Sequence, residues 1–127
     1  MIIGLGCDIC NISRIEDIYK KYGLRFAKRI LGKMEYQEFL SINDKPRKVS
    51  FLAKRFAAKE AFVKALGIGF DGIKFRDAEI AHNAKGKPCF ILAGEALRQT
   101  EAIKAKNIQV SLSDDNPFAQ AVVTIEN

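Results

Sequence analysis

The stretch FLAKRFAAKEAFVKALG at residues 51–67 consists of helix-forming residues, with no proline and with glycine only at its end. A run of this composition predicts a long helix. Its large apolar side chains recur at roughly helical spacing, at Leu52, Phe56, Val63 and Leu66. Its alanines at 53, 57 and 61 form a shallow ridge that another backbone can approach closely. We therefore expect a central helix that packs on more than one side.

Glu60 and Lys64 project from the alanine face of this helix, one turn apart. A Glu–Lys pair at this spacing is common on helix surfaces, and for this stretch alone that interpretation is favoured. The alternative is a charged site beside small residues that leave room for a ligand. The segment Gly67-Ile68-Gly69 follows. Glycine at this point caps a helix and also lets a phosphate approach the backbone, and capping is the more frequent role.

The length and composition indicate one globular domain spanning residues 1–127. Hydrophobic residues make up 48% and charged residues 28% of the chain, which excludes a disordered protein. The net charge of +6 predicts an anionic partner: nucleic acid, a phosphate-rich small molecule, a membrane surface or an acidic protein. Charge does not choose among these. We find neither a signal peptide nor a membrane-spanning stretch, and we expect a soluble, cytoplasmic protein with no membrane partner.

The three cysteines, Cys7, Cys10 and Cys89, are too few and too scattered for a disulfide framework. The spacing of Cys7 and Cys10 is that of some redox and zinc sites, but no second pair follows and the single histidine, His82, is isolated. Apolar residues flank the pair, so we expect both thiols to be buried and inert. This agrees with a reducing cytoplasm.

The N-terminal run from Ile2 to Ile12 predicts a buried strand, in which Gly4 and Gly6 mark the close approach of another backbone or a ligand. Asp8 interrupts this run. A carboxylate in an apolar strand is destabilising unless it is paired, hydrogen-bonded or bound to a metal. The simpler alternative is an aspartate at the strand end that accepts backbone N–H bonds near the next helix.

The rest of the chain alternates between short runs of helical and strand pattern. We predict helices at about 13–22, 25–31, 33–41 and 95–106, and strands at 73–81, 89–92, 108–113 and 118–125. The last two strands form a closing hairpin whose turn contains Asp114 and Asp115. The segregation of these runs predicts a mixed α+β fold with a small antiparallel sheet packed on the central helix.

Several motifs together resemble the holo-[acyl-carrier-protein] synthases, the small 4′-phosphopantetheinyl transferases of fatty-acid synthesis. They are GLGCDI at 4–9, RFA at 25–27 with RIL at 29–31, the central stretch, FRDAEI at 75–80, GKP at 86–88 and VSLSD at 110–114. The resemblance covers nearly the whole chain. It implies transfer of the phosphopantetheine arm of coenzyme A to a serine of apo acyl carrier protein, with release of adenosine 3′,5′-bisphosphate.

The resemblance also implies roles for individual residues. Asp8 and Glu60 match acids that bind Mg²⁺, an ion that prefers hard oxygen ligands, and Lys64 matches a lysine near the phosphates. Glu35 lies near an acid suggested to act on the attacking group. The positions that match contacts to the coenzyme A nucleotide and phosphates are Arg47, Lys48, Arg55, Lys64, Gly67 and Ile68, with Asp114 at a position where many relatives have histidine.

The resemblance implies partners as well. Arg14 and Arg25 match positions that meet the acidic carrier protein, where complementary charge speeds encounter. The family is typically a homotrimer with sites between subunits, so that Asp114 and the closing hairpin serve a neighbour's site. The competing hypothesis is a non-catalytic basic domain that binds nucleic-acid phosphates. It explains the net charge but not Asp8 or Glu60, and no RNA or DNA recognition motif supports it, so the enzyme is favoured and no nucleic-acid partner is expected.

Overall fold

The computed structural model describes residues 1–70 and 72–127 and has the expected α+β architecture. In chain order, the elements are β1 (Ile2–Asn11), α1 (Ile12–Tyr22), α2 (Leu24–Ile30), α3 (Lys33–Ser41), α4 (Lys45–Leu66), a 3₁₀ turn (Phe75–Asp77), β2 (Ala78–His82), β3 (Pro88–Leu92), α5 (Gly94–Ala102), β4 (Asn107–Asp115) and β5 (Phe118–Glu126). None of the helices in these two ranges has the length and hydropathy that a bilayer crossing requires.

Two antiparallel sheets form within the described residues. The larger has the order β1-β5-β4, with Cys7 opposite Val122 and Asp8 opposite Ala121, and the smaller is the β2–β3 hairpin. Burial alternates along β5, where the residues at 119, 121, 123 and 125 are buried against the helices. This period of two follows from the pleat of the strand, which points successive side chains to opposite faces.

Helix α4 lies across the inner face of the larger sheet, and β1 approaches it most closely. A Cβ atom on Gly6 would lie 1.9 Å from the carbonyl oxygen of Ala61, and one on Gly4 would lie 2.3 Å from that of Ala65. Farther along β1, the sulfur of Cys10 lies 3.5 Å from the carbonyl oxygen of Ala53. The predicted close approach at the two glycines is therefore confirmed, and any side chain there would push the strand away from the helix.

Helix α4 is longer than predicted, because it begins at Lys45 rather than Phe51. The Asp44 side chain accepts a hydrogen bond of 3.1 Å from the backbone N–H of Arg47, and Pro46 lies in the first turn, where its missing N–H leaves no bond unmade. The helix ends at Leu66, and Gly67 caps it in the left-handed conformation, with φ 79°. The capping interpretation of Gly67 is therefore confirmed.

Three other predictions differ from the structure. The strand predicted from Ile73 begins only at Ala78, because Phe75–Asp77 forms the 3₁₀ turn. Helix α5 ends at Ala102 rather than Lys106, and Lys104 takes a positive φ of 60°. Cys10 is buried as expected, but the same prediction was wrong for Cys7, which is exposed because odd-numbered residues of β1 point away from α4.

Candidate functional site

The close contact between β1 and α4 brings Asp8 against Lys64. Asp8 follows Gly4 and Gly6 on the inner face of β1, and its Oδ1 accepts a hydrogen bond of 3.0 Å from Lys64 Nζ. The same ammonium donates to the carbonyl oxygen of Cys7 at 3.1 Å. Side chains on a helix lean toward its N-terminus, so Lys64 reaches back along α4 toward Asp8. The carboxylate within the apolar strand is thus paired.

Glu60, on α4, lies close enough to Asp8 for the two charges to interact. Burial raises the pKa of Glu60, and the negative charge of Asp8 raises it further, whereas the cations Lys64 and Arg14 act in the opposite direction. Two carboxylates that share a poorly hydrated space repel each other, and this repulsion favours uptake of a proton or a cation. Arg14 borders the same space, with its guanidinium 6.0 Å from the centre of the Phe56 ring.

The carboxylate oxygens of Asp8 and Glu60 fit a hard divalent cation whose other ligands are water and substrate oxygens. Both residues offer carboxylate oxygens, and Mg²⁺ typically binds through one or two carboxylates plus phosphate oxygens. Within residues 1–70 and 72–127, no cluster of three or more His, Cys, Asp or Glu side chains forms a complete protein cage. Two carboxylates fit Mg²⁺ when water and phosphate oxygens complete its ligands.

A separate cavity of about 310 Å³ lies between the first half of α4 and the end of β4. Its lining comprises Ile42, Pro46, Arg47, Ser50, Phe51, Lys54 and Asp114. Lys54 Nζ lies 3.2 Å from Asp114 Oδ1, and both side chains are about one-third exposed. The structure thus brings together Arg47 and Asp114, two of the residues predicted to contact the nucleotide. It adds Lys54, which was not among the residues predicted to contact the nucleotide.

Lys48 turns away from this cavity. Its ammonium lies 4.5 Å from the centre of the Phe39 ring, in a cation–π contact on the side of α3. Ile68 stands in the exposed loop after α4, with 39% of its surface accessible. Neither residue lines the cavity at Arg47, Lys54 and Asp114.

Glu35 and Arg55, which were expected to act at the site, lie in the interior instead. Glu35 accepts hydrogen bonds from Lys59 Nζ at 2.6 Å, from the backbone N–H of Gly32 at 2.9 Å and from that of Ile80 at 3.1 Å. Glu35 is 1% and Arg55 3% exposed, so neither side chain is open to a substrate. The structure places both residues in a buried ion cluster that joins α3, α4 and β2.

The cations of this cluster are strongly desolvated. Burial lowers the pKa of Arg55 and that of Lys59, and the charge of Glu35 opposes the shift in both. Lys59 is fully buried and also donates to the carbonyl oxygen of Ile30 at 2.6 Å. Arg55 Nε lies 3.4 Å from Glu35 Oε2 but forms no hydrogen bond with any of the described residues. One buried carboxylate therefore balances two buried cations, with the exposed Glu38 lying 3.7 Å from Arg55.

A second cavity, of about 530 Å³, opens where α1, α2 and α4 meet. Apolar and aromatic side chains form most of its lining: Ile18, Tyr22, Phe26, Ile30, Phe56 and Phe75, with the exposed Arg25 and Arg29 at its edge. Phe56 is also the ring that Arg14 contacts. This apolar groove with a cationic edge therefore adjoins the space occupied by Asp8 and Glu60, and it includes Arg25, one of the two residues predicted to meet a protein partner.

Comparison with known proteins identifies relatives along the whole chain. A family model described as the 4′-phosphopantetheinyl transferase superfamily matches residues 4–123. A holo-[acyl-carrier-protein] synthase of Vibrio cholerae serotype O1 is 44% identical over 127 residues, covering 99% of this chain and 98% of that protein.

Solved structures of such synthases have the same fold. The structure from Neisseria meningitidis superposes with a TM-score of 0.90 at 43% identity and covers 100% of both chains. The structure from Bacillus anthracis, in complex with coenzyme A (3′,5′-ADP), superposes with a TM-score of 0.80 at 34% identity and covers 98% of this chain and 96% of that one.

Proposed function

This chain belongs to the holo-[acyl-carrier-protein] synthases of the 4′-phosphopantetheinyl transferase superfamily, and we propose that it catalyses their reaction at a Mg²⁺ site formed by Asp8 and Glu60. The enzyme transfers the 4′-phosphopantetheine arm of coenzyme A to a serine of apo acyl carrier protein and releases adenosine 3′,5′-bisphosphate. The observation that supports our proposal is the close packing of β1 on α4, which places Asp8 beside Glu60 and Lys64. We take residues 1–127 as a single transferase domain.

The chemistry requires stabilisation of charge on phosphate. The serine oxygen forms a bond to the phosphorus that bears pantetheine and gives its proton to a water molecule, while the bond from that phosphorus to the bridging oxygen breaks. The electron pair of the broken bond remains on the leaving 3′,5′-bisphosphate. Asp8 and Glu60 would hold Mg²⁺, which when bound supplies positive charge to the pyrophosphate oxygens. The Lys64 ammonium supplies a second positive charge where negative charge develops on the leaving group.

We assign the cavity at Arg47, Lys54 and Asp114 to the nucleotide end of coenzyme A. Two cations in this cavity attract phosphate, and the Asp114 carboxylate holds Lys54 at 3.2 Å. Arg47 and Lys64 are roughly 25 Å apart along α4, at about 1.5 Å of rise per residue. A nucleotide end bound at Arg47 therefore cannot easily present its pyrophosphate to Lys64 of the same chain. The Arg47 cavity of one subunit and Lys64 of a neighbouring subunit would then form one site.

The outer face of the larger sheet supplies a surface for such an assembly. Its exposed apolar side chains include Ile3 at 40%, Leu5 at 67%, Ile9 at 59%, Phe118 at 47% and Val122 at 36% exposure. Exposed apolar side chains that gather on one face of a sheet favour a protein interface there. We propose a homotrimer whose interface covers this face. We also propose a cytoplasmic location, where the three free cysteines stay reduced. A monomer by size-exclusion chromatography with light scattering would contradict the assembly.

The apolar groove with its cationic edge is our proposed docking surface for the acidic carrier protein. Arg25 and Arg29 would steer an acidic helix, and the aromatic floor would accept an apolar side chain from it. Arg14 lies between this groove and Glu60, and this supports its proposed role on the path from the docked carrier to the reacting phosphate. Docking through these arginines should weaken as ionic strength rises.

The experiment that tests the proposal is intact-mass measurement of apo acyl carrier protein after incubation with the enzyme, coenzyme A, and either Mg²⁺ or a chelator. We expect a gain of one phosphopantetheine arm that requires Mg²⁺ and is lost in Asp8→Ala and Glu60→Ala, with both variants folded. Glu95→Ala is the matched control, since Glu95 is a partly exposed acid paired with Arg98 on α5. Near-normal turnover by either site variant at limiting Mg²⁺ would refute the metal assignment.

A further inference from the structure

The contact between Lys64 and Asp8 has a consequence for how the proposed metal site fills. The ammonium of Lys64 lies 3.0 Å from Asp8 Oδ1, so it already pairs with the carboxylate that would bind the metal ion. An ammonium and a divalent ion cannot share one carboxylate oxygen at such distances without strong repulsion. Lys64 therefore competes with a metal ion for the negative charge of Asp8.

Lys64 is free to leave this position. Its side chain is 54% exposed, and its two acceptors, Asp8 Oδ1 and the carbonyl oxygen of Cys7, both lie on the surface strand β1. Lys59, on the same helix, shows the opposite arrangement: it is fully buried, and short bonds to Glu35 and to the carbonyl oxygen of Ile30 fix its ammonium. Of these two α4 lysines, Lys64 has both a flexible stem and open space to swing through.

We infer that Lys64 is a placeholder cation, which neutralises Asp8 until Mg²⁺ binds and then moves to the phosphates of coenzyme A. This inference rests on the proposed metal site and assigns to Lys64 a positioning role that precedes its role in charge stabilisation. Without phosphates, release of the ammonium opposes Mg²⁺ binding. With phosphates, the released ammonium gains new partners, so Mg²⁺ and coenzyme A bind cooperatively, each raising the affinity of the other by the same factor.

Titration calorimetry with MgCl₂ tests the inference on the intact protein, with and without coenzyme A. In Lys64→Met, we expect Mg²⁺ affinity without coenzyme A to rise about three- to fivefold, since the competing ammonium is gone. The same variant should lose most of the affinity gain that coenzyme A produces in the parent. Lys20→Met is the matched control, because it removes one charge and one ion pair, to Glu16 at 3.5 Å, on helix α1. Unchanged or weaker Mg²⁺ binding by Lys64→Met, relative to this control, overturns the inference.

A second readout follows the ammonium itself. In a nitrogen-15 NMR spectrum of lysine ammonium groups, the Lys64 signal should move toward that of exposed lysines when MgCl₂ is added, and move again with coenzyme A. A Lys64 signal that stays unchanged at saturating Mg²⁺ refutes displacement. If Asp8→Ala binds Mg²⁺ as tightly as the parent, the proposed metal site itself is wrong. If binding depends on Asp8 but not on Lys64, only the placeholder role is wrong.

Discussion

Glu35→Gln tests the buried ion cluster more directly than any other single change. Glu35 accepts hydrogen bonds at 2.6 Å from Lys59, at 2.9 Å from Gly32 and at 3.1 Å from Ile80. Glutamine keeps the shape but has only one acceptor oxygen, so its NH₂ group must face a donor. It also removes the carboxylate between two buried cations, Lys59 and Arg55. The variant therefore leaves both cations without a fully buried counter-charge.

The expected loss of unfolding free energy is about 3–5 kcal/mol, the range for removing one partner of a buried ion pair. This is a large share of the roughly 5–15 kcal/mol that stabilises a typical domain. Glu38→Gln is the matched control: it makes the same chemical change on the same helix, but the Glu38 side chain is 51% exposed and lies 3.7 Å from Arg55. Exposed pairs contribute about 1 kcal/mol or less, so the control should change stability little.

Urea unfolding followed by circular dichroism, at one fixed protein concentration, measures both variants. The reasoning is refuted if Glu35→Gln loses no more stability than Glu38→Gln. The same variant, in buffer without urea, tests the expectation that Glu35 takes part in catalysis. If this residue is structural, specific transfer activity per folded molecule should be retained in conditions where Glu35→Gln is folded.

Three further predictions concern the site. Gly6→Ala should destabilise the protein by about 3 kcal/mol in urea unfolding, because its Cβ would lie 1.9 Å from the Ala61 carbonyl oxygen, and a near-neutral effect would contradict the close packing. Glu60→Gln should raise stability by less than about 1 kcal/mol at neutral pH without Mg²⁺. Because the pKa of Glu60 is raised in the folded protein, the parent loses stability as pH rises through this folded-state pKa. Below the ordinary pKa of 4.5, the parent and Glu60→Gln should therefore have the same unfolding free energy. A difference in unfolding free energy that persists there contradicts the raised pKa as its cause. Arg25→Glu should raise KM for the acyl carrier protein about tenfold and leave KM for coenzyme A unchanged, and equal changes in both would refute the docking groove.

The parts of the fold that the sequence predicted well are those that local chemistry determines. The helix formers of 51–67, the glycine cap at Gly67 and the alternation along β5 each need only neighbouring residues to be interpreted. The start of α4 was also locally determined, since Asp44 and Pro46 are typical of a helix N-terminus, but the prediction began the helix at Phe51. This boundary could have been found from the sequence.

The roles of Glu35 and Arg55 could not be found in this way. A charged side chain has the same local pattern whether it faces solvent or a buried partner, and only tertiary packing decides which. Here α4 is covered on several sides, so its charges at Arg55 and Lys59 have no solvent face to occupy and require a partner from elsewhere. Glu35, twenty or more positions away on α3, supplies it. By contrast, Asp8 stood out because a carboxylate within an apolar strand always needs an explanation.

The packing of β1 on α4 also works as a pair of matched rulers. From Gly4 to Gly6 the strand advances two residues, while the contacted carbonyl moves four residues along the helix, from Ala65 to Ala61. Two strand residues span about 6.8 Å and four helix residues about 6 Å, so strand and helix stay in register over a few residues. Asp8 is the next residue of β1 on the face that packs against α4. An insertion of one residue before it would turn its side chain to the other face of the sheet, so the joint spacing of the two segments, and not either motif alone, is the signature to seek in other sequences.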